Sequence, residues 1–156
     1  MLRRLRERIL EPVIVDRGVD VMAFTLWVIY GAWGAVSTLA HMPTLTDAAP
    51  PLYSILWGAL IGFFALVAAV ACVLTFFTAT PAGRLWKKRA EMTAVCLMGG
   101  LIAVYPALLF VRAIVDHDAD RAAIAVLGLS YLVVPTWRIR HLTKRIRALL
   151  GVEANG

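Results

Sequence analysis

LYSILWGALIGFFALVAAVACVLTFF, residues 52–77, is a run of 26 residues without one Asp, Glu, Lys or Arg. A helix needs about 20 apolar residues, at 1.5 Å each, to cross roughly 30 Å of hydrocarbon. This stretch meets that length with room to tilt. Three further uncharged runs accompany it: 21–40 and 92–111, each of 20 residues, and 122–137, of 16. The fold expected is all-α: a polytopic membrane protein whose four transmembrane helices form two antiparallel hairpins.

Composition points the same way. Of the 156 residues 61% are apolar and 17% charged, and the mean hydropathy is +0.78. A soluble domain carries about 25% charged residues, so too few remain here to cover a water-facing surface.

If every run crosses a bilayer, 14 of the 16 Lys and Arg share one side, and only Arg112 and Arg121 face the other. Basic loops are retained on the cytoplasmic side. Both termini and the middle loop are therefore expected inside, in the cytoplasmic membrane. The fourth run is short, and Arg121 and Arg138 can lengthen it by laying their methylene stems along the helix. Were it to lie in the membrane plane, the division would fall to 9 against 7; the sharper split favours four spans. The net charge of +6 arises on the inner side. Anionic lipid rather than nucleic acid explains it, at about 1 kcal/mol per basic residue near the leaflet.

Three parts are expected. Residues 1–20 form a basic amphipathic segment, with Leu2, Leu5 and Ile9 at helical spacing among Arg3, Arg4, Arg6 and Arg8; Pro12 should end its helix. Residues 21–137 form the four-helix transmembrane domain. In the tail, 138–156, Ile139, Leu142, Ile146 and Leu149 alternate with Arg138, Arg140, Lys144, Arg145 and Arg147, which predicts a helix that leaves the last span and peels along the surface. These cations, with Arg84, Lys87, Lys88 and Arg89 of the middle loop, are the expected contacts to the inner leaflet. No cleaved signal peptide is expected, because the apolar run follows a charged leader and exceeds an h-region in length.

The connectors carry their own signals. Pro43, Pro50 and Pro51 keep 41–51 out of helix, Pro81 begins a Pro-Ala-Gly stop, and Asp118 or Asp120 can cap the last helix. Tyr53 and Trp57 are placed in an outer aromatic belt, and Trp86 and Trp137 in an inner one. Trp33 and Tyr105 lie deeper and should find polar partners on other helices. Pro106 should free the carbonyl of Ile102 and bend the third span.

Few residues suggest chemistry. Gly58, Gly62, Ala65 and Ala69 share one narrow helix face, and Gly99, Ala103 and Ala107 another. Such faces drive close helix association in lipid, either among the chain's own helices or between copies in a homo-oligomer. Asp116, Asp118 and Asp120 imitate a calcium loop, but Arg121 and Leu127 stand where it needs Gly and Glu. His117, between acids, reads as part of a solvated helix-capping loop, His41 and His141 are interfacial and solitary, and Cys72 and Cys96 read as small apolar fillers without disulfide or metal-ligand spacing. The runs hold no ionisable residue, whereas pumps and proton-coupled transporters keep such residues within the membrane. The first run, VMAFTLWVIYGAWGAVSTLA, lacks the acid on which small four-helix multidrug exporters depend. Thr25, Ser37, Thr38, Thr75 and Thr93 are scattered rather than aligned into a path. No serine has a His or Lys at matching depth, so neither enzyme activity nor a cofactor is expected.

The Ala/Val/Arg-rich composition, the four spans with inside termini and the stretch AAIAVLGLSYLVVPTWRIRHLTKRIRALL, residues 122–150, resemble small four-span membrane proteins of actinobacterial phages, of the lysis-cassette or holin-like type. The resemblance implies accumulation in the cytoplasmic membrane, lateral association through the glycine and alanine faces, and a timed loss of the permeability barrier during phage lysis. The basic tail would then hold the inner leaflet. The same features also fit a non-enzymatic accessory protein, either an exclusion factor or an anchor for a cytoplasmic partner.

Overall fold

The computed structural model describes residues 2–39, 51–78 and 80–153. The connector expected at 41–51 lies, but for its last residue, outside the described residues, as do the side chains of Arg3, Arg4, Arg6 and Arg8. The described chain is helical, without a strand: α1 Leu2–Leu39, α2 Pro51–Phe76, α3 Pro81–Asp116, α4 Ala119–Ser130 and α5 Val133–Glu153. Four segments are long and apolar enough to cross a membrane: Arg17–Leu39, Ile55–Phe76, Ala82–Asp116 and Ala119–Leu150. Their outward faces are apolar, with Phe63, Leu66 and Val70 of α2 and Val104, Val111 and Val115 of α3 all exposed. A water-soluble monomer seldom exposes continuous apolar surface beyond a few hundred Å².

Two boundaries differ from the sequence reading. α1 runs unbroken past Pro12, because a proline removes one helical hydrogen bond but need not end a long helix. The tail does not peel away. α5 stays packed on α3, with Leu142 fully buried.

Helices α1 and α2 pack along small residues. A Cβ on Gly34 would stand 2.7 Å from the carbonyl oxygen of Gly58 and from the amide nitrogen of Gly62, and one on Gly58 would meet the Thr38 hydroxyl at 2.6 Å. Gly58 and Gly62 thus serve contacts inside the chain. Around α3, each of two prolines faces a glycine on a neighbouring helix. Pro106 of α3 lies against Gly128 of α4, where a Cβ would approach it to 2.9 Å, and Pro135 of α5 lies against Gly99 of α3, at 3.4 Å. Pro135 offers no amide proton to the carbonyl of Tyr131, four residues back. That carbonyl accepts instead from the Tyr30 hydroxyl at 2.6 Å, and the helix is interrupted there, between α4 and α5.

Near Pro106, the Trp57 indole donates to the carbonyl of Leu101 at 2.7 Å, one residue before the carbonyl expected to be free. Trp57 is therefore a core residue rather than part of an interfacial belt, since the carbonyl is a better partner for its proton than lipid. Trp33 and Tyr105 meet rings rather than polar acceptors. Trp33 stacks on Tyr131 at 5.1 Å, and Tyr105 lies 5.4 Å from Trp57. Trp86 and Trp137 are exposed. The hydroxyls of Thr25, Ser37, Thr38 and Thr75 turn back to carbonyls four residues earlier, which satisfies them within their own helices. Asp118, not Asp120, caps α4, accepting from the amides of Asp120 and Arg121.

The glycine contacts give a testable contrast. Gly34→Ala forces a methyl against backbone and should lower the unfolding free energy by about 1–3 kcal/mol. Gly100, where a Cβ meets nothing within 4 Å, should accept Ala with no loss or a gain of up to about 1 kcal/mol. Thermal melts of both variants in the same detergent, followed by tryptophan fluorescence, would check this.

Candidate functional site

The buried face of α1 repeats at helical intervals: Ala23, Trp27, Tyr30, Gly34 and Ser37. One step back along the same stripe is Asp20, which is also buried. On α3 the stripe of Val95, Met98 and Ile102 continues backwards through Glu91 and Lys88. On α5 the stripe of Pro135 and Leu142 contains Arg138. Helical phase therefore carries four charged side chains into the interior at one end of the bundle. Their relative exposures are 5% for Asp20, 2% for Lys88 and 0% for both Glu91 and Arg138.

There they pair. Arg138 reaches both acids through Nη2, at 2.7 Å from Asp20 Oδ1 and 2.7 Å from Glu91 Oε1. Its Nε donates to Glu91 Oε1 at 2.8 Å. Lys88 Nζ lies 3.1 Å from Asp20 Oδ1 and 3.4 Å from Glu91 Oε2. Arg145, one helical step beyond Leu142, reaches Asp20 Oδ2 at 2.9 Å. The indole of Trp27 donates to Glu91 Oε1 at 3.4 Å. All four carboxylate oxygens thus accept from at least one cation. Cys72 of α2 closes the edge, its thiol donating to the backbone carbonyl of Asp20 at 3.4 Å.

This overturns two expectations. Lys88 and Arg138 do not face the lipid, because the carboxylates of Asp20 and Glu91 hold them inside. The bundle is also not free of buried charge. The uncharged runs were bounded at Val21, Met92 and Trp137, each beside one of these residues, so their bounds excluded the charges that helical phase carries inward. Asp20 and Glu91 were not singled out by the sequence reading. The signal that finds them is the buried stripe, extended by one helical step past the end of each run.

The other cations have different surroundings. Arg84 donates to the carbonyl of Thr78, just past the end of α2, at 2.7 Å, and Lys87 to that of Leu74, in its last turn, at 3.2 Å, where helix-end carbonyls lack helical donors. Arg89, Arg140, Lys144 and Arg147 are exposed. Of the small residues, Ala65 and Ala69 are buried, Ala103 is half-buried and Ala107 is exposed. Among the described residues no group of three or more His, Cys, Asp or Glu is placed to hold a metal ion.

The arrangement acts as a lock, since each carboxylate oxygen is held by a cation from α3 or α5 and the pairs join three helices. Among the described residues the cluster joins two acids, Asp20 and Glu91, to Lys88, Arg138 and Arg145. Arg138 Nη1 is buried without a hydrogen-bond acceptor. Comparison with protein-family models, curated proteins and solved structures gives no match.

Breaking a buried ion pair by deleting one partner costs about 3–5 kcal/mol, because the other charge stays behind. Arg138→Leu should lose stability on that order, and adding Glu91→Leu should restore a large part of it. Detergent melts of the single and double variants would measure the coupling; a single variant melting with the parent would show that the cluster holds nothing together.

Proposed function

We propose that this chain is a non-enzymatic accessory protein of the cytoplasmic membrane, a four-span scaffold with both termini inside. The observation that carries the reading is the ion cluster, which ties α1, α3 and α5 into one arrangement. Helices fixed in this way present a constant surface at their basic end. The exposed Arg89, Arg140, Lys144 and Arg147 there suit an acidic cytoplasmic partner or an anionic leaflet. The interior supports the same reading. Trp27, Tyr30 and Trp57 fill its centre, and the hydroxyls of Thr25, Ser37, Thr38 and Thr75 are spent on their own helices rather than on a polar path.

One observation favours a second reading, the holin-like role implied by the resemblance. Gly58 and Gly62 are taken up inside the chain, but Gly100 and Ala107 are exposed on α3 and leave a face for association between copies. Inducing the protein in a bacterial host while following membrane potential separates the two. The scaffold reading expects cells that stay polarised at high expression, with a cytoplasmic protein copurifying in fixed ratio. Abrupt depolarisation would replace it with the lysis reading. Terminal reporters active only outside the cytoplasm should stay silent at both ends.

A further inference from the structure

Beside the ion cluster is an open-mouthed cavity of about 370 Å³, lined by parts of α1, α2, α3 and α5. Among the described residues, Arg17, Arg84, Lys88 and Arg145 line it with one carboxylate, Asp20, so basic side chains predominate in its lining. That carboxylate is already held by Lys88, Arg138 and Arg145, so it offers little compensation to Arg17 and Arg84. The remaining wall is formed by Thr75, whose hydroxyl donates to the Ala71 carbonyl, and by the apolar Phe76, Ala148 and Leu149. Like charges around a low-dielectric hollow raise a strong positive potential and draw anions into it.

We propose that this cavity binds a phosphate-bearing anion. Guanidinium groups present planar, paired donors that match phosphate oxygens, and three of the four lining cations are arginines. The volume falls at the lower end of the range for small-ligand cavities, about 300–1,000 Å³, enough for a phosphate group with a small substituent. Two sources share this chemistry. One is an anionic phospholipid headgroup, whose acyl chains would follow the apolar flank, as in basic pockets between transmembrane helices. The other is a free phosphate compound from solution. An anion bound to the folded chain would also raise its melting temperature.

The site does not depend on the scaffold reading, and its test uses the full chain in a nonionic detergent or in vesicles. Inorganic phosphate is the first probe. Phosphatidylcholine vesicles with and without phosphatidylglycerol are the second. Arg17→Gln and Arg84→Gln remove lining charges outside the buried cluster, and Ala148→Trp fills the cavity without changing charge. Arg147→Gln removes an exposed charge that does not line it. The proposal expects saturable binding that weakens about fivefold in each lining variant, the equivalent of about 1 kcal/mol per basic residue. It expects binding to be abolished by Ala148→Trp and kept in Arg147→Gln. Binding of phosphate alone would assign a soluble ligand, and binding only with phosphatidylglycerol a lipid headgroup; either supports the site. Equal weakening in Arg147→Gln would show diffuse surface attraction and overturn it. So would binding that survives Ala148→Trp, or the absence of saturable binding by both probes. Tryptophan-monitored melts of each variant establish that a loss of binding is not a loss of fold.

Discussion

A charge removed from water must be met by an opposite charge, and this requirement organises one end of the bundle. Asp20, Lys88, Glu91 and Arg138 come from three helices, and none can remain buried unless the others are in register. Sliding or rotating α1, α3 or α5 by one step would leave a carboxylate or a guanidinium facing apolar side chains. Buried ion networks contribute little net stability relative to apolar replacements, but a wrong arrangement is strongly penalised. The cluster is therefore best understood as a device for selecting one packing among several that apolar surfaces alone would tolerate.

Such selection matters more in lipid than in water. Acyl chains solvate a leucine as well as another helix does, so apolar burial does not hold spans together. Close backbone approach and hydrogen bonds do that work. Gly34 against Gly58 brings α1 to α2, while the proline–glycine contacts bring α3 to α4 and α5. Tyr30 and Trp57 donate to main-chain carbonyls of other helices, and in the first case a proline has left that carbonyl without its helical donor. The irregularities that prolines create become points of attachment.

The two ends of the bundle treat charge differently. In the turn between α3 and α4, Arg121 pairs with Asp116 and Asp118 while all three remain partly exposed, where such pairs contribute about 0–1 kcal/mol. At the opposite end the pairs are buried, and a cavity lined by Arg17, Arg84, Lys88 and Arg145 adjoins them. One end is a solvated turn. The other concentrates positive charge beside the core, which is where any recognition of anions belongs.

Length and composition alone determined that this chain is helical and suited to lipid, because four uncharged runs allow no other disposal of so much apolar surface. The capping role of the Asp118 region and the narrow face at Gly58 and Gly62 were also legible, each following from local geometry. The cluster was not read in advance. A scan for uncharged runs stops at Asp20, Glu91 and Arg138, and whether a charge at the end of a run meets water or a partner depends on the helices beside it. The placement of Trp57, the docking of α5 and the partner of Gly58 were likewise decided between helices. The sequence by itself thus determined which segments are long and apolar enough to cross a membrane, a property of each segment and its solvent. Only the tertiary structure decided which polar groups face one another, because pairing joins residues up to 125 positions apart, and no single helix contains that information.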